Sequence, residues 1–382
     1  MKNFKKVLSI ALAFTMLLGT GLLFTSCAGN KAEIALITDK GNIDDKSFNQ
    51  GSWEGVLEFA KANNISHKYY KPEEPSDAGY LASIELAIKG GAKVVVTPGY
   101  LFEVAVYEAQ AKYPDVKFIL LDGEPHSPYP EPKFETKSNV ASVKYAEEQS
   151  GYLAGYAAVK DGYTKLGFMG GMAVPAVQAF GYGFLQGAEA AAKELGVSVE
   201  VKYHYTGNFE ENDTNKATAK TMYEGGTEVI FACGGSVGKS VMAAADEAKK
   251  VVIGVDVDQR YDSATVITSA AKGLGTSVVQ VLESIYKTNN FDTVFGGTTT
   301  YFNASNGGVG LPTIVIGQKD GNAFDRFKAF TKADYDVVFN KLAKDEVKPI
   351  RTIKVTAETG YATADELVKG LDLSKVSVTT VQ

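Results

Sequence analysis

Gly90-Gly91-Ala92-Lys93-Val94-Val95-Val96 decides the fold, because it recurs 135 residues further on as Gly225-Gly226-Thr227-Glu228-Val229-Ile230-Phe231. In the first copy the glycine pair stops a helix marked by Leu81, Ile84 and Ile88, and a continuous apolar strand follows. Two further correspondences keep nearly the same spacing. The strand ending at Asp122 matches one ending at Asp256, 134 residues apart, and Phe48 matches Phe180, 132 apart. Three nearly equal offsets favour two similar α/β lobes over the general likeness of any two βαβ segments. The spacing is too long for a solenoid.

Working outward, Ile34–Ile37 reads as a strand, and Trp53, Val56, Leu57 and Ala60 recur at i, i+3, i+4, i+7 as a helix face. Val94–Val96 and Phe118–Leu121 are further strands with a helix between them. Continuous apolar strands alternating with helices predict parallel sheets covered on both faces. A boundary falls near Val143–Glu147, where a strand gives way to a helix over Glu147–Lys160. Phe291–Gly310, rich in Gly, Thr and Asn, reads as loops and short strands. Residues 312–382 predict a helix over Lys332–Ala343, a short strand over Thr352–Val355 and a final helix near Ala364–Leu371.

The composition sets limits. With 382 residues, 45% hydrophobic and 22% charged, the chain is ordinary globular protein with room for about two domains of ~150 residues each. A net charge of -6 offers no basic patch, so nucleic acid is a poor partner. Three histidines and two cysteines exclude a disulfide framework and argue against a Cys/His zinc site and against histidine-dependent hydrolysis. At the N-terminus, Lys2, Lys5 and Lys6 precede an apolar run from Val7 to Phe24 and then Thr25-Ser26-Cys27-Ala28-Gly29. This pattern predicts a secretory signal over residues 1–26. The run, about 18 residues, is nearly long enough to span a membrane. The cysteine at the cleavage point decides for a lipoprotein, since it resembles a bacterial lipobox with Phe24 where Leu is usual. Cys27 would then carry the lipid and hold the protein on the extracytoplasmic face of the cell membrane. Losing three lysines moves the net charge from -6 to -9. Cys233, in an apolar strand, reads as buried and inert.

In open parallel sheets ligands bind beyond the carboxyl ends of the strands. Those ends carry Thr38, Asp39 and the loop Gly41–Asn49, then Asp122, then Gly234-Gly235-Ser236-Val237-Gly238, then Asp256, and after Val266–Ile267 come Thr268, Ser269 and Lys272. Two facing lobes would gather them around one cleft. Phe48 and Phe180 could then close on both faces of a planar ligand, while Asp122 and Asp256 accept from its opposite ends. A purine nucleoside fits that description. Each residue also has a plainer reading. Phe180 shares a helix face with Val177 and Phe184 and suits the core equally well. Asp39 could be a turn or N-cap residue, and Lys272 a solvated surface lysine. Gly235-Ser236-Val237-Gly238-Lys239-Ser240 ends like a P-loop, but the glycine required five positions before Gly238 is Cys233, which argues against nucleoside triphosphate hydrolysis. The glycines still expose backbone N–H groups at a helix start.

The run Asp44-Asp45-Lys46-Ser47-Phe48-Asn49-Gln50-Gly51-Ser52-Trp53-Glu54-Gly55 resembles the signature of the basic membrane protein family, substrate-binding lipoproteins of ABC transporters with a branch similar to purine nucleoside receptor A. Phe180–Ala188, Val255–Gln259 and Thr268–Lys272 are similar to the family as well, and the likeness runs over about residues 32–355. The resemblance implies a type I periplasmic-binding-protein fold, α/β, with two Rossmann-like lobes of parallel sheet joined by a three-crossover hinge near residues 145, 270 and 305. The N-terminal lobe would be 32–145 plus about 271–305, and the C-terminal lobe 146–270 plus about 306–382. By the family pattern Phe48 and Phe180 stack on the base, and Asp39 and Asp122 are polar contacts, Asp122 to the base. Asp256 and Lys272 contact the ribose, with Gly234, Gly235 and Asn49 nearby. The implied protein is a monomeric receptor, not an enzyme and without cofactor or metal. It takes inosine, guanosine or adenosine to an ABC permease. A second reading keeps the fold and changes the ligand to riboflavin or a sugar. A third is a nucleoside-processing enzyme holding calcium on Asp39, Asp44 and Asp45, although the family pattern makes Asp44 and Asp45 loop-capping residues. A surface adhesin is a fourth.

Overall fold

Short runs of buried aliphatic residues set the strands, and each is followed by a helix that returns the chain to the same edge. In the computed structural model, which describes residues 31–319, 321–351 and 368–381, the chain first lays down β1 (Ile34–Ile37), α1 (Phe48–Ala62), β2 (His67–Tyr70), α2 (Asp77–Lys89), β3 (Val94–Pro98), α3 (Glu103–Lys112), β4 (Lys117–Leu121) and β5 (Val140–Tyr145). It then crosses to a second lobe: α4 (Glu147–Lys160), β6 (Lys165–Gly170), α5 (Pro175–Leu195), β7 (Val199–Tyr205), α6 (Asp213–Glu224), β8 (Val229–Cys233), α7 (Val237–Ala248), β9 (Val251–Asp256) and β10 (Val266–Lys272). It returns for α8 (Leu274–Tyr286), α9 (Phe291–Val294) and β11 (Thr298–Phe302). A third crossing leads to β12 (Val309–Gly310), α10 (Lys332–Ala343) and β13 (Val376–Thr380). The expected signal over 1–26, Cys27, the strand at Thr352–Val355 and most of the helix near Ala364–Leu371 lie outside the described residues.

The first sheet has the order β2-β1-β3-β4-β5-β11, parallel throughout. The second runs β13-β7-β6-β8-β9-β10-β12 and is parallel except where β12 meets β10. Apart from β13, the two orders are the same. The two glycine-led repeats enter β3 and β8, which hold equivalent places beside β1 and β6.

Some expectations need correcting. The buried face of α1 is Asn49, Gly51, Ser52, Gly55, Val56, Phe59 and Ala60, while Trp53 and Leu57 are only half-buried. The face is rotated toward small residues because α8 presses on them: a Cβ on Gly55 would lie 2.7 Å from the Gly275 Cα. Thr268 and Ser269 do not follow a strand. They lie inside β10, which runs on to Lys272.

The α4 and α5 helices pack through glycine on both sides. A Cβ on Gly151 would sit 2.1 Å from the Phe180 carbonyl oxygen, and one on Gly187 would sit 1.9 Å from that of Tyr152. Only glycine permits this approach. It fixes α5, and with it Phe180, against the first turns of α4.

Candidate functional site

The carboxyl ends of the two sheets face each other across a cleft. The structure brings all nine predicted site residues to its wall: Asp39, Phe48, Asn49, Asp122, Phe180, Gly234, Gly235, Asp256 and Lys272.

Their circumstances differ. The Asp45 carboxylate accepts the backbone N–H groups of Ser47 (2.8 Å), Asn49 (2.9 Å) and Gln50 (3.1 Å), capping the open N-terminus of α1. Asp44 is exposed. Of the three aspartates in the calcium reading, Asp45 is thus a helix cap and Asp44 a solvated neighbour. Asp39 makes a turn, accepting from Gly41 N at 2.7 Å, and also accepts from Asn49 Nδ2 at 2.8 Å. Asn49 is spent on this loop, donating to Asp39 and Asp45 and accepting from Asp39 N. Phe48 opens α1, half-buried beside the cleft. Phe180 is the sixth residue of α5 and 1% exposed, with its ring edge-on to Phe231 at 5.9 Å. It serves the core and the cleft at once, so the core and ligand readings of its helix face do not exclude each other.

Lys272 is not a surface lysine. Its side chain is 2% exposed, and its ammonium lies 2.5 Å from Asp122 Oδ2, 3.4 Å from Glu147 Oε1 and 3.7 Å from Asp256 Oδ1. It also stands over the Phe48 ring at 4.7 Å and the Phe180 ring at 5.3 Å, close enough for cation–π attraction. The three carboxylates raise its pKa far above the ordinary lysine value against the opposing effect of burial.

Asp122 and Asp256 reach the cleft through left-handed backbone, φ 56° and 66°, which aspartate tolerates better than most residues. Burial pushes the Asp122 carboxyl up to about 7, against the pull of Lys272. Asp256 is raised by the same cause and lowered in part by Lys272 and by Ser47 Oγ, which donates to it at 2.5 Å. Desolvation in the cleft raises Asp39 as well. The Cys233 thiol lies at the cleft wall with its pKa far above normal from burial, so it supplies no thiolate. Gly235 turns in the left-handed region at φ 54°, and a Cβ on Gly234 would meet Gly171 N at 2.6 Å. Glycine is required at both positions for the second lobe's loop to lie this close.

Sequence reasoning missed Ser47, Glu147 and Tyr145, whose ring lies 5.3 Å from the Lys272 ammonium. The strand-end rule could have found Glu147, which starts α4 directly beyond β5. Nothing local marks Ser47, whose partner is 209 residues away.

The family model described as ABC transporter substrate-binding protein PnrA-like (Bmp) matches residues 32–358. The chain belongs to this family. Among Bmp relatives, the ABC transporter nucleoside-binding protein BmpA of Lactococcus lactis subsp. cremoris is 31% identical over 81% of this chain and 87% of its own. Basic membrane protein A of Borreliella burgdorferi is 30% identical over 78% and 85%. A solute-binding protein of an ABC transporter system from Aeropyrum pernix K1 superposes with a TM-score of 0.74 at 22% identity, covering 89% of this chain and 98% of that one. That likeness establishes the type I periplasmic-binding-protein fold, as the sequence predicted. As a Bmp protein, the chain is an ABC transporter substrate-binding protein. Among the described residues no helix is long and apolar enough to cross a membrane, and no group of three or more His, Cys, Asp or Glu is arranged to hold a metal.

Proposed function

We propose that the cleft captures a purine nucleoside and presents it to an ABC permease. One observation carries the reading. Asp122 lines the cleft, and its Oδ1 is buried with no hydrogen-bond partner among the described residues, while its Oδ2 holds the Lys272 ammonium, which stands over the Phe48 ring. A buried acceptor left open costs free energy until a donor arrives, and a purine edge brings an N–H together with a flat face for Phe48 and Phe180. Asp256 and Lys272, joined through their ion pair, suit ribose hydroxyls, with Asp39, Asn49, Gly234 and Gly235 completing the wall. The nucleoside-binding name of the Lactococcus relative supports the ligand class. The excess of carboxylates over the single lysine at the cleft favours nucleosides over phosphorylated nucleotides. The lobes, 32–145 with about 271–305 and 146–270 with about 306–382, would close on the ligand as a monomer.

Thermal unfolding with inosine, guanosine, adenosine, riboflavin and ribose tests the ligand class. A rise in Tm with the nucleosides is expected. A rise with riboflavin or ribose alone would overturn the proposal in favour of the second reading.

The same reading puts the protein outside the cytoplasm on a lipid carried by Cys27, after removal of residues 1–26. Mass spectrometry of the mature N-terminus checks this: the expected product begins at a lipid-bearing Cys27, and Cys27→Ala releases the protein from the membrane.

A further inference from the structure

Two of the three carboxylates at Lys272, Asp122 and Asp256, face the ligand cleft. The third, Glu147, stands behind the ammonium on the wall of a neighbouring cavity that Arg351 also lines. Glu147 is 1% exposed and is the first residue of α4. One of its oxygens lies 3.4 Å from Lys272 Nζ, and the other accepts from Arg351 Nη1. Arg351 is itself fixed, donating to Glu148 Oε2 at 2.6 Å and to the Tyr145 carbonyl at 2.7 Å. The result is a row of alternating charge, Arg351–Glu147–Lys272–Asp122. It links the first crossing between the lobes, the end of β10 at the second crossing, and a segment that arrives some 200 residues later in the chain. A lysine on four flexible carbons, held only by carboxylates that also serve a ligand, would follow whatever those carboxylates do. Glu147 gives it a partner that no ligand in the cleft competes for.

We propose that Glu147 and Arg351 are positioning residues of the cleft: Arg351 fixes the Glu147 carboxylate, Glu147 fixes the Lys272 ammonium, and the share of that ammonium left to Asp122 sets how strongly Asp122 accepts a hydrogen bond. Only the last step rests on the reading of Asp122 as a nucleoside contact. Against burial, which raises it, Arg351 and then Lys272 hold the Glu147 carboxyl below the usual range, so Arg351, Glu147 and Lys272 are charged at neutral pH and Asp122, at about 7, is the member of the row that titrates there. The groups facing Asp122 are Lys272 from β10, Glu147 from α4, Asp256 from β9 and the Tyr145 phenol from β5. Burial keeps that phenol neutral, and it shares a hydrogen bond with Ser277.

The test is the titration of Asp122 in the ligand-free full-length protein, followed by carboxyl 13C NMR with the resonance assigned by its loss in Asp122→Asn. In Glu147→Gln a like charge disappears and Asp122 and Asp256 alone share Lys272, so the Asp122 midpoint falls by about half a pH unit or more. In Arg351→Ala, Glu147 loses its strongest cation and draws Lys272 toward itself and away from Asp122, so the midpoint rises. Arg351→Lys brings it part of the way back. Unchanged midpoints, or midpoints moving the same way in Glu147→Gln and Arg351→Ala as a loosened fold would move them, overturn the proposal. Nucleoside titrations on the same samples separate the two ideas. Opposite shifts without nucleoside binding to the unsubstituted protein leave the positioning role standing and remove the ligand.

Discussion

Asp122 and Asp256 stand at equivalent places in the two lobes. Each closes the strand beside the one entered by the repeated glycine-led stretch, and each turns through left-handed backbone. Their surroundings are unlike. Ser47 of the first lobe reaches over to donate to Asp256 Oδ2 at 2.5 Å, so this carboxylate ties the lobes together. Asp122 has Lys272 at 2.5 Å on one oxygen and, among the described residues, no hydrogen-bond partner on the other. Duplicated topology thus delivers two carboxylates to one cleft, and the unduplicated loops decide that one becomes a fastening and the other an open acceptor. The phenylalanines divide in the same way: Phe180 is built into the core, and Phe48 stands half-buried at a helix start.

The strongest way to break the comparison is to remove what the aspartates share. Lys272→Met leaves Asp122, Asp256 and Glu147 buried around a missing cation. Breaking a buried ion pair from one side costs about 3–5 kcal/mol, so the urea midpoint should fall steeply. A variant as stable as the original would show that the carboxylates do not depend on Lys272. The phenylalanines come next. Phe180→Ala should cost about 3–4 kcal/mol of stability, as for other buried aromatics. Phe48→Ala should cost about 1 kcal/mol of stability and appear mainly as weaker nucleoside binding by calorimetry. Equal stability losses would erase the division between a core ring and a cleft ring.

Acid–base behaviour sharpens the contrast. A carboxyl raised from 3.8 to about 7 in the folded protein binds its proton more tightly there than in the unfolded chain. The native state then holds the extra proton between those values, and stability falls as pH rises through that window, by at most about 1.4 kcal/mol per pH unit. Asp122→Asn should flatten this slope in urea midpoints measured from pH 4 to 7. If the slope persists, it belongs to other buried carboxyls such as Asp256.

Much of this was legible in the sequence because it rests on local rules. The β3 and β8 entries announce themselves by glycine pairs before unbroken aliphatic runs, and the strand-end rule finds Asp122, Asp256 and Gly234 without knowing how the lobes meet. The edge strand β2, His67-Lys68-Tyr69-Tyr70, carries no aliphatic run and is half solvated, so it gave no signal. The α1 face was misjudged because glycine and serine contribute nothing to an apolar period yet are what a close helix contact requires. Lys272 was found by position, but its burial depends on carboxylates from three other elements. Glu147 and Arg351 are 204 residues apart and meet only after the chain has crossed between lobes.

The smallest effect tests the fastening itself. Ser47→Ala removes one hydrogen bond to a carboxylate that keeps Lys272 at 3.7 Å, a loss of about 1 kcal/mol. Because donor and acceptor belong to different lobes, the loss should fall on closure. Nucleoside affinity should drop about fivefold, and the radius of gyration of the ligand-free protein in solution should rise, while the stability of either lobe is untouched. Gln259 Nε2 still donates to the Lys46 carbonyl at 2.7 Å across the same gap, so the effect is partial. If affinity is unchanged, Asp256 is held adequately from within its own lobe, and the asymmetry between the two aspartates comes from Lys272 alone.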